Sequence, residues 1–129
     1  MIAIDTNVLV RLLTGDDPAQ YKASLKLFST EQIFIPDSVV LETEWVLRAA
    51  YDQGPSEVCN TFKNVFGLAN VSIANNQVVT QAINWHEAGL DFSDAFHLAQ
   101  SQGQECLKTF DAEFIKRAAK LTEFRVEKP

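Results

Sequence analysis

Apolar residues fall into two rhythms along the chain. Short runs bounded by turn residues read as buried strands: Ile2-Ala3-Ile4, Gln32-Ile33-Phe34-Ile35 ended by Pro36, Val71-Ser72-Ile73, Cys106-Leu107-Lys108-Thr109-Phe110 and Phe124-Arg125-Val126. Helical spacing fills the intervals. A first helix runs from Asn7 to Leu13 and is closed by Gly15, and a second starts at Asp17-Pro18 with Ala19, Ala23, Leu27 and Phe28 on its face. A strongly apolar helix spans Ser38 to Tyr51 and is stopped by Asp52-Gln53-Gly54-Pro55. The next runs from Ser56 to about Leu68 with Val58, Phe62, Val65 and Phe66 at helical spacing. Asn76 opens a helix closed by Gly89, Asp91-Phe92-Ser93-Asp94 opens one that ends by Gly103, and Asp111 opens one that reaches Lys120. Strands alternating with helices predict an α/β fold with a parallel sheet, because parallel neighbours need crossover connections. Ligands of such sheets bind outside the carboxyl ends of the strands, so the polar residues there matter most.

Length and composition narrow the class. A chain of 129 residues argues for one domain over 1–129, and 47% hydrophobic with 22% charged residues excludes disorder as the default. No apolar run approaches about 18 residues, which excludes a helical membrane span. Met1-Ile2-Ala3-Ile4-Asp5 lacks the basic start of a signal peptide, and Cys59 and Cys106 read as reduced, part-buried residues of a cytoplasmic protein. There is no repeat, low-complexity tract or linker. The balance of 11 basic against 17 acidic residues gives −6, which argues against nucleic acid unless the acids are gathered in one place.

Their positions suggest that they are. Asp5 follows the first strand and Asp111 follows the strand ending at Phe110, so in a parallel sheet both carboxylates share one rim. Each could equally be a helix N-cap. Glu42 has Ser38, Val39, Trp45 and Val46 as helical neighbours, which predicts a largely buried face where an ionised Glu needs a cation or an ion-pair partner. Glu44 has Arg48 four residues on and reads as a solvated surface pair. Asp91 fits an N-cap and Asp94 the first turn of the same helix, where it complements the dipole. If Asp5, Glu42, Asp94 and Asp111 converge, 13 acids remain against 11 bases, and the cluster requires a cation to stay ionised. Oxygen-only donors select hard ions, Mg²⁺ or Mn²⁺, which serve phosphoryl chemistry.

At this point the residues match a known pattern. The chain resembles the PIN-domain ribonucleases, most closely the VapC-type toxins of bacterial toxin–antitoxin modules, over nearly its whole length. Ile4-Asp5-Thr6-Asn7-Val8-Leu9-Val10 resembles the opening motif, Val39-Val40-Leu41-Glu42 followed by Trp45-Val46-Leu47 resembles the helix bearing the second acid, Asp91-Phe92-Ser93-Asp94-Ala95-Phe96-His97-Leu98-Ala99 resembles the third motif, and Thr109-Phe110-Asp111 the fourth. The resemblance implies a three-layer fold with a central parallel sheet of about five strands flanked by helices. It implies an Mg²⁺- or Mn²⁺-dependent endoribonuclease whose metal and catalytic residues are Asp5, Glu42, Asp94 and Asp111. It also implies an RNA substrate, a homodimer and a cognate antitoxin. Thr6, Asn7, Asp91 and Thr109 are then the groups that orient these ligands or the substrate.

Other residues carry weaker signals. Lys116, Arg117 and Lys120 share a helix that begins beside Asp111 and are candidates to hold the RNA backbone, although they could form a solvated face. His97, one turn beyond Asp94, reads as packing, His86 as structural, and Trp45 and Trp85 as core. An antitoxin is expected to present an Arg or Lys to the acids and to dock on the helices at 39–50 and 58–66, if part of their apolar surface stays exposed. Three other readings stand beside the toxin: a PIN-like module that binds metal or RNA without cutting, a phospho-acceptor domain with an acidic pocket, and a DNA-directed PIN nuclease. The phospho-acceptor would want paired acids behind the first strand, where the chain has Asp5 before Thr6 and Asn7.

Overall fold

The computed structural model describes residues 1–129 and divides them into two compact units, Met1–Ala74 and Asn75–Pro129. The first unit runs β1 (Ile2–Ala3), α1 (Thr6–Thr14), α2 (Pro18–Thr30), β2 (Ile33–Ile35), α3 (Asp37–Tyr51), α4 (Pro55–Phe66) and β3 (Val71–Ile73). Its strands pair in parallel in the order β1-β2-β3, with Ile2 opposite Ile33 and Phe34 opposite Ser72. The second unit runs α5 (Asn76–Glu87), α6 (Phe92–Gln100), β4 (Leu107–Lys108), α7 (Ala112–Leu121) and β5 (Val126–Glu127), with β4 and β5 parallel. The fold is the expected α/β type with five strands, all paired in parallel. They are distributed as a three-stranded and a two-stranded sheet rather than one sheet of five.

The punctuation residues set these limits. Asp5 is extended at φ −86° and its carboxylate accepts the Thr6 N–H, which starts α1 directly behind β1. Gly15 ends α1 at φ 64°, a left-handed conformation that costs glycine little, and its N–H donates to the Arg11 carbonyl. Asp17 caps α2 by accepting the Gln20 N–H, with Pro18 at the first helical position. The Tyr51 hydroxyl and Arg11 both donate to Asp16, which ties the end of α3 to the α1–α2 turn. β4 stops two residues earlier than its apolar run suggests, because the Asp111 N–H donates to the Thr109 Oγ1 and turns the chain out of the ladder.

Each unit has its own apolar interior. Leu9, Val10, Ile33, Ile35, Val40, Leu47, Val58 and Phe62 are buried in the first, and Val79, Ala82, Leu90, Phe92, Phe96 and Leu98 in the second. At roughly 1.5–3 kcal/mol for each large side chain, this burial is the main stabilising contribution. The apolar face of α4 is spent inside, with Val58, Cys59, Phe62 and Val65 all buried, as are Val39, Val40 and Leu47 of α3. The apolar surface these two helices leave outside is smaller, consisting of Trp45, 58% exposed, with Leu41, Val46 and Phe66 partly exposed. No helix is long and apolar enough to cross a membrane, and neither Cys59 nor Cys106 is in a disulfide.

α3 corrects the sequence reading of its two glutamates. The buried stripe is Val40, Thr43, Glu44 and Leu47, while Ser38, Glu42, Trp45 and Ala49 lie along the exposed side. Trp45 is 58% exposed, so the apolar neighbour expected to bury Glu42 in fact marks a solvent face. Glu44, only 2% exposed, is held by Arg48 at 2.9 Å, which confirms the pair but places its acidic half in the interior. Arg48 is half exposed, so solvent screens part of this pair. Arg48→Met should leave a buried carboxylate without its guanidinium and cost about 1–3 kcal/mol. Adding Glu44→Met should recover most of that loss, as read from urea unfolding midpoints of the two variants.

Candidate metal centre

Three of the sequence-predicted residues come together in the second unit. Asp91, Asp94 and Asp111 line one cavity of about 410 Å³, with Arg117 and Glu113 on its wall and Leu90 and Phe114 below. Asp91 caps α6, its Oδ1 accepting the Asp94 N–H at 3.0 Å. Asp111 caps α7, one carboxylate oxygen accepting the Glu113 and Phe114 N–H groups at 3.0 Å each. Both carboxylates are thus locked by helix N-termini, whose partial positive charge suits them.

Asp94 is different. It is half-buried and its own carboxylate caps nothing. Burial first, and then the charges of Asp91 and Asp111, raise its pKa above the ordinary 3.8, with His97 pulling the other way. A carboxyl group pressed towards its neutral form by two neighbouring acids is what a divalent cation would relieve, and the donor set, all oxygen, fits Mg²⁺ or Mn²⁺. Within each unit taken by itself, no group of three or more His, Cys, Asp or Glu stands in metal-holding geometry.

The remaining acids lie in the first unit. Asp5 is exposed behind β1, its Oδ1 accepting the Thr6 N–H at 2.7 Å, with Thr6 buried and Asn7 exposed beside it. Glu42 is exposed on α3. Thr109, by accepting from the Asp111 N–H at 3.1 Å, orients the loop that carries that acid. The three basic candidates separate. Arg117 borders the acidic cavity, while its Nη1 donates to the Gly89 carbonyl at 2.6 Å and its Nε to Glu113 at 3.1 Å. Arg117 and Lys120 line a second cavity of about 200 Å³ with Ala88, Gly89 and Leu121. Lys116 is exposed and lines neither cavity.

Of the two histidines, His97 departs from the sequence reading and His86 has the structural place expected of it. His97 is exposed rather than packed, and its charge acts on Asp94 three residues before it. His86 is buried, its Nδ1 2.7 Å from the Leu90 carbonyl and its ring edge-on to Phe92 at 5.3 Å. A carbonyl only accepts, so Nδ1 carries the proton. His86 thereby holds the residues on either side of Asp91. The sequence signal was a polar side chain four residues before Leu90, placed to bridge the end of α5.

The family model described as PIN domain matches residues 2–121. No curated protein matches the chain. Among solved structures, the chain is similar to that of Mycobacterium tuberculosis VapC20, described as a sarcin-ricin loop cleaving toxin, at 20% identity and a TM-score of 0.46, over 97% of this chain and 99% of that one.

Two outcomes test the site's electrostatics and its support. Between pH 3.8 and the raised value the folded chain holds the Asp94 proton that the unfolded chain has lost, so stability falls as pH rises through that window. Asp94→Asn should therefore be neutral below the window and stabilising above it, measured as metal-free urea midpoints across pH. His86→Leu should orphan the Leu90 carbonyl and cost about 1–3 kcal/mol. His86→Asn, which restores an N–H donor, should cost less in the same measurement.

Proposed function

The chain belongs to the PIN-domain family, and on that premise we propose that it is a metal-dependent endoribonuclease, the VapC-type toxin of a toxin–antitoxin pair. The observation that supports the reading is the cavity that Asp91, Asp94 and Asp111 line together, where burial and then the charges of Asp91 and Asp111 raise the pKa of Asp94. In this proposal residues 1–129 act as one PIN-like domain. Asp5, Asp94 and Asp111 are the metal ligands, with Glu42 direct or through water.

Asp5, Asp94 and Asp111, with Glu42, would hold Mg²⁺ or Mn²⁺, which when bound would supply positive charge to a phosphate and acidify water at neutral pH. The chain does the rest. Asp91 and Thr109 keep Asp94 and Asp111 in place through main-chain N–H groups, and Thr6 and Asn7 sit beside Asp5 for the same work. Arg117, fixed by Glu113 and the Gly89 carbonyl, offers a cation to a phosphate oxygen beside the acids, and Lys120 offers the next. No side chain is required to deprotonate a 2′-hydroxyl, so the products should carry 5′-phosphate and 3′-hydroxyl ends.

The partner follows from the same charge. A site of four carboxylates can be blocked by a guanidinium or ammonium group, so the cognate antitoxin is proposed to insert an Arg or Lys there. Trp45, exposed on α3, offers an apolar contact beside that insertion. The proposed assembly is a homodimer.

The test is cleavage of purified RNA by the purified chain. Cutting should require Mg²⁺ or Mn²⁺ and stop in EDTA, and Asp94→Asn should lower the rate by at least about a hundredfold while the fold is retained. Cyclic 2′,3′-phosphate ends, or full activity in EDTA, would overturn the mechanism. Binding of RNA without cutting would favour a non-cleaving module. Expression of the chain alone should arrest growth, and a co-expressed neighbouring gene product should restore it. Harmless expression would leave a PIN nuclease and remove the toxin.

A further inference from the structure

Phe110 is the most exposed of the large apolar side chains, at 81%, and the residue that follows it, Asp111, lines the acidic cavity. Its main chain is held from both sides. The Thr109 N–H donates to the Glu127 carbonyl at 3.0 Å, and the Asp111 N–H donates back to Thr109 Oγ1 at 3.1 Å. Asp111 is in turn fixed as the cap of α7. Phe110 contributes to no ladder, and the core position of this segment is filled by Phe114, 3% exposed. An exposed ring thus lies in water on a main chain held at both neighbours, one residue from Asp111. Exposure of that much apolar area is unfavourable in the isolated chain, which leaves the ring a surface suited to a flat apolar ligand.

Resting on the ribonuclease reading, we propose that Phe110 is a substrate-binding residue on which a nucleobase of single-stranded RNA stacks, next to the phosphate handled by Asp94 and Asp111. A base is joined to its phosphate by a few covalent bonds, so a ring one residue from Asp111 is within its reach. Stacking also suits the charge problem. The chain is at −6 and has one Arg on the wall of the acidic cavity, so phosphate attraction is limited. An aromatic face adds affinity for any base without adding charge.

The test uses the full chain carrying Asp94→Asn, so that RNA is bound without being cut, and a fluorescent, mixed-sequence single-stranded RNA as the probe. Phe110→Ala should weaken binding roughly 5- to 100-fold, and Phe110→Trp should restore it. In the active chain Phe110→Ala should raise KM more than it lowers kcat. With an RNA whose cut site is mapped, one abasic nucleotide beside that site should abolish the difference between the parent chain and Phe110→Ala. Unchanged binding in Phe110→Ala, or a loss that is equal at every abasic position, would overturn the proposal. So would loss of self-association or antitoxin binding with RNA binding intact, which would make the ring a protein contact. A chain with Phe110 present that is folded and neither binds nor cuts RNA would instead remove the ribonuclease reading, and this inference with it.

Discussion

A carboxylate at the start of a helix, held by main-chain N–H groups, is the interaction on which the rest of the molecule depends. Asp5 stands between β1 and α1, Asp111 between the end of β4 and α7, and Asp91 at the start of α6. In each case one oxygen accepts the amide hydrogen bonds. Asp5 and Asp111 therefore start helices and also bring negative charge to strand ends, while Asp91 starts a helix that follows another helix. Asp94 is the exception that makes the site. It stands in the first turn of α6, gives its N–H to Asp91, and receives repulsion from its neighbours instead of capping bonds. Local folding stabilises the caps, and Asp94 bears the cost of their proximity.

The short connection between α5 and α6 is braced to match. His86 reaches the Leu90 carbonyl, Arg117 reaches the Gly89 carbonyl, and the Gly89 N–H returns to the His86 carbonyl. Gly89 itself is at φ 110°, a conformation closed to most side chains. These bonds hold the approach to Asp91 from two directions, one from the interior and one from α7.

Much of this was legible in the residues alone because local chemistry decides it. Gly15, Asp17-Pro18, Pro36, Asp91 and Asp111 mark element ends through capping and fixed φ, and the structure places the ends within a residue or two of them. The acids behind the strands were legible for the same reason. Burial was harder. On α3 the spacing of Val39, Trp45 and Val46 points the wrong way because Trp is interior by type, whereas this one lies on the exposed stripe with Glu42. Arg48 makes Glu44 look like half of a surface pair, and only the packing around it reveals the interior carboxylate. His86 and Phe110 depend on a bond across a helix end and on a turn out of a strand, which no periodicity records.

The parallel pairing of β4 with β5 has a consequence for the order in which the molecule is made. Leu107 is opposite Val126, and the Thr109 N–H that steadies the Asp111 loop is bonded to the Glu127 carbonyl. A ribosome adds residues at about 5–20 per second, so Asp5 precedes these partners by something on the order of ten seconds. During that interval the growing chain holds its acids without the strand that sets the last of them in place. The loop bearing Asp111 is fixed only after Val126 and Glu127 have been added. The main-chain bond that steadies the Asp111 loop thus has to wait for a residue made well after Asp111 itself.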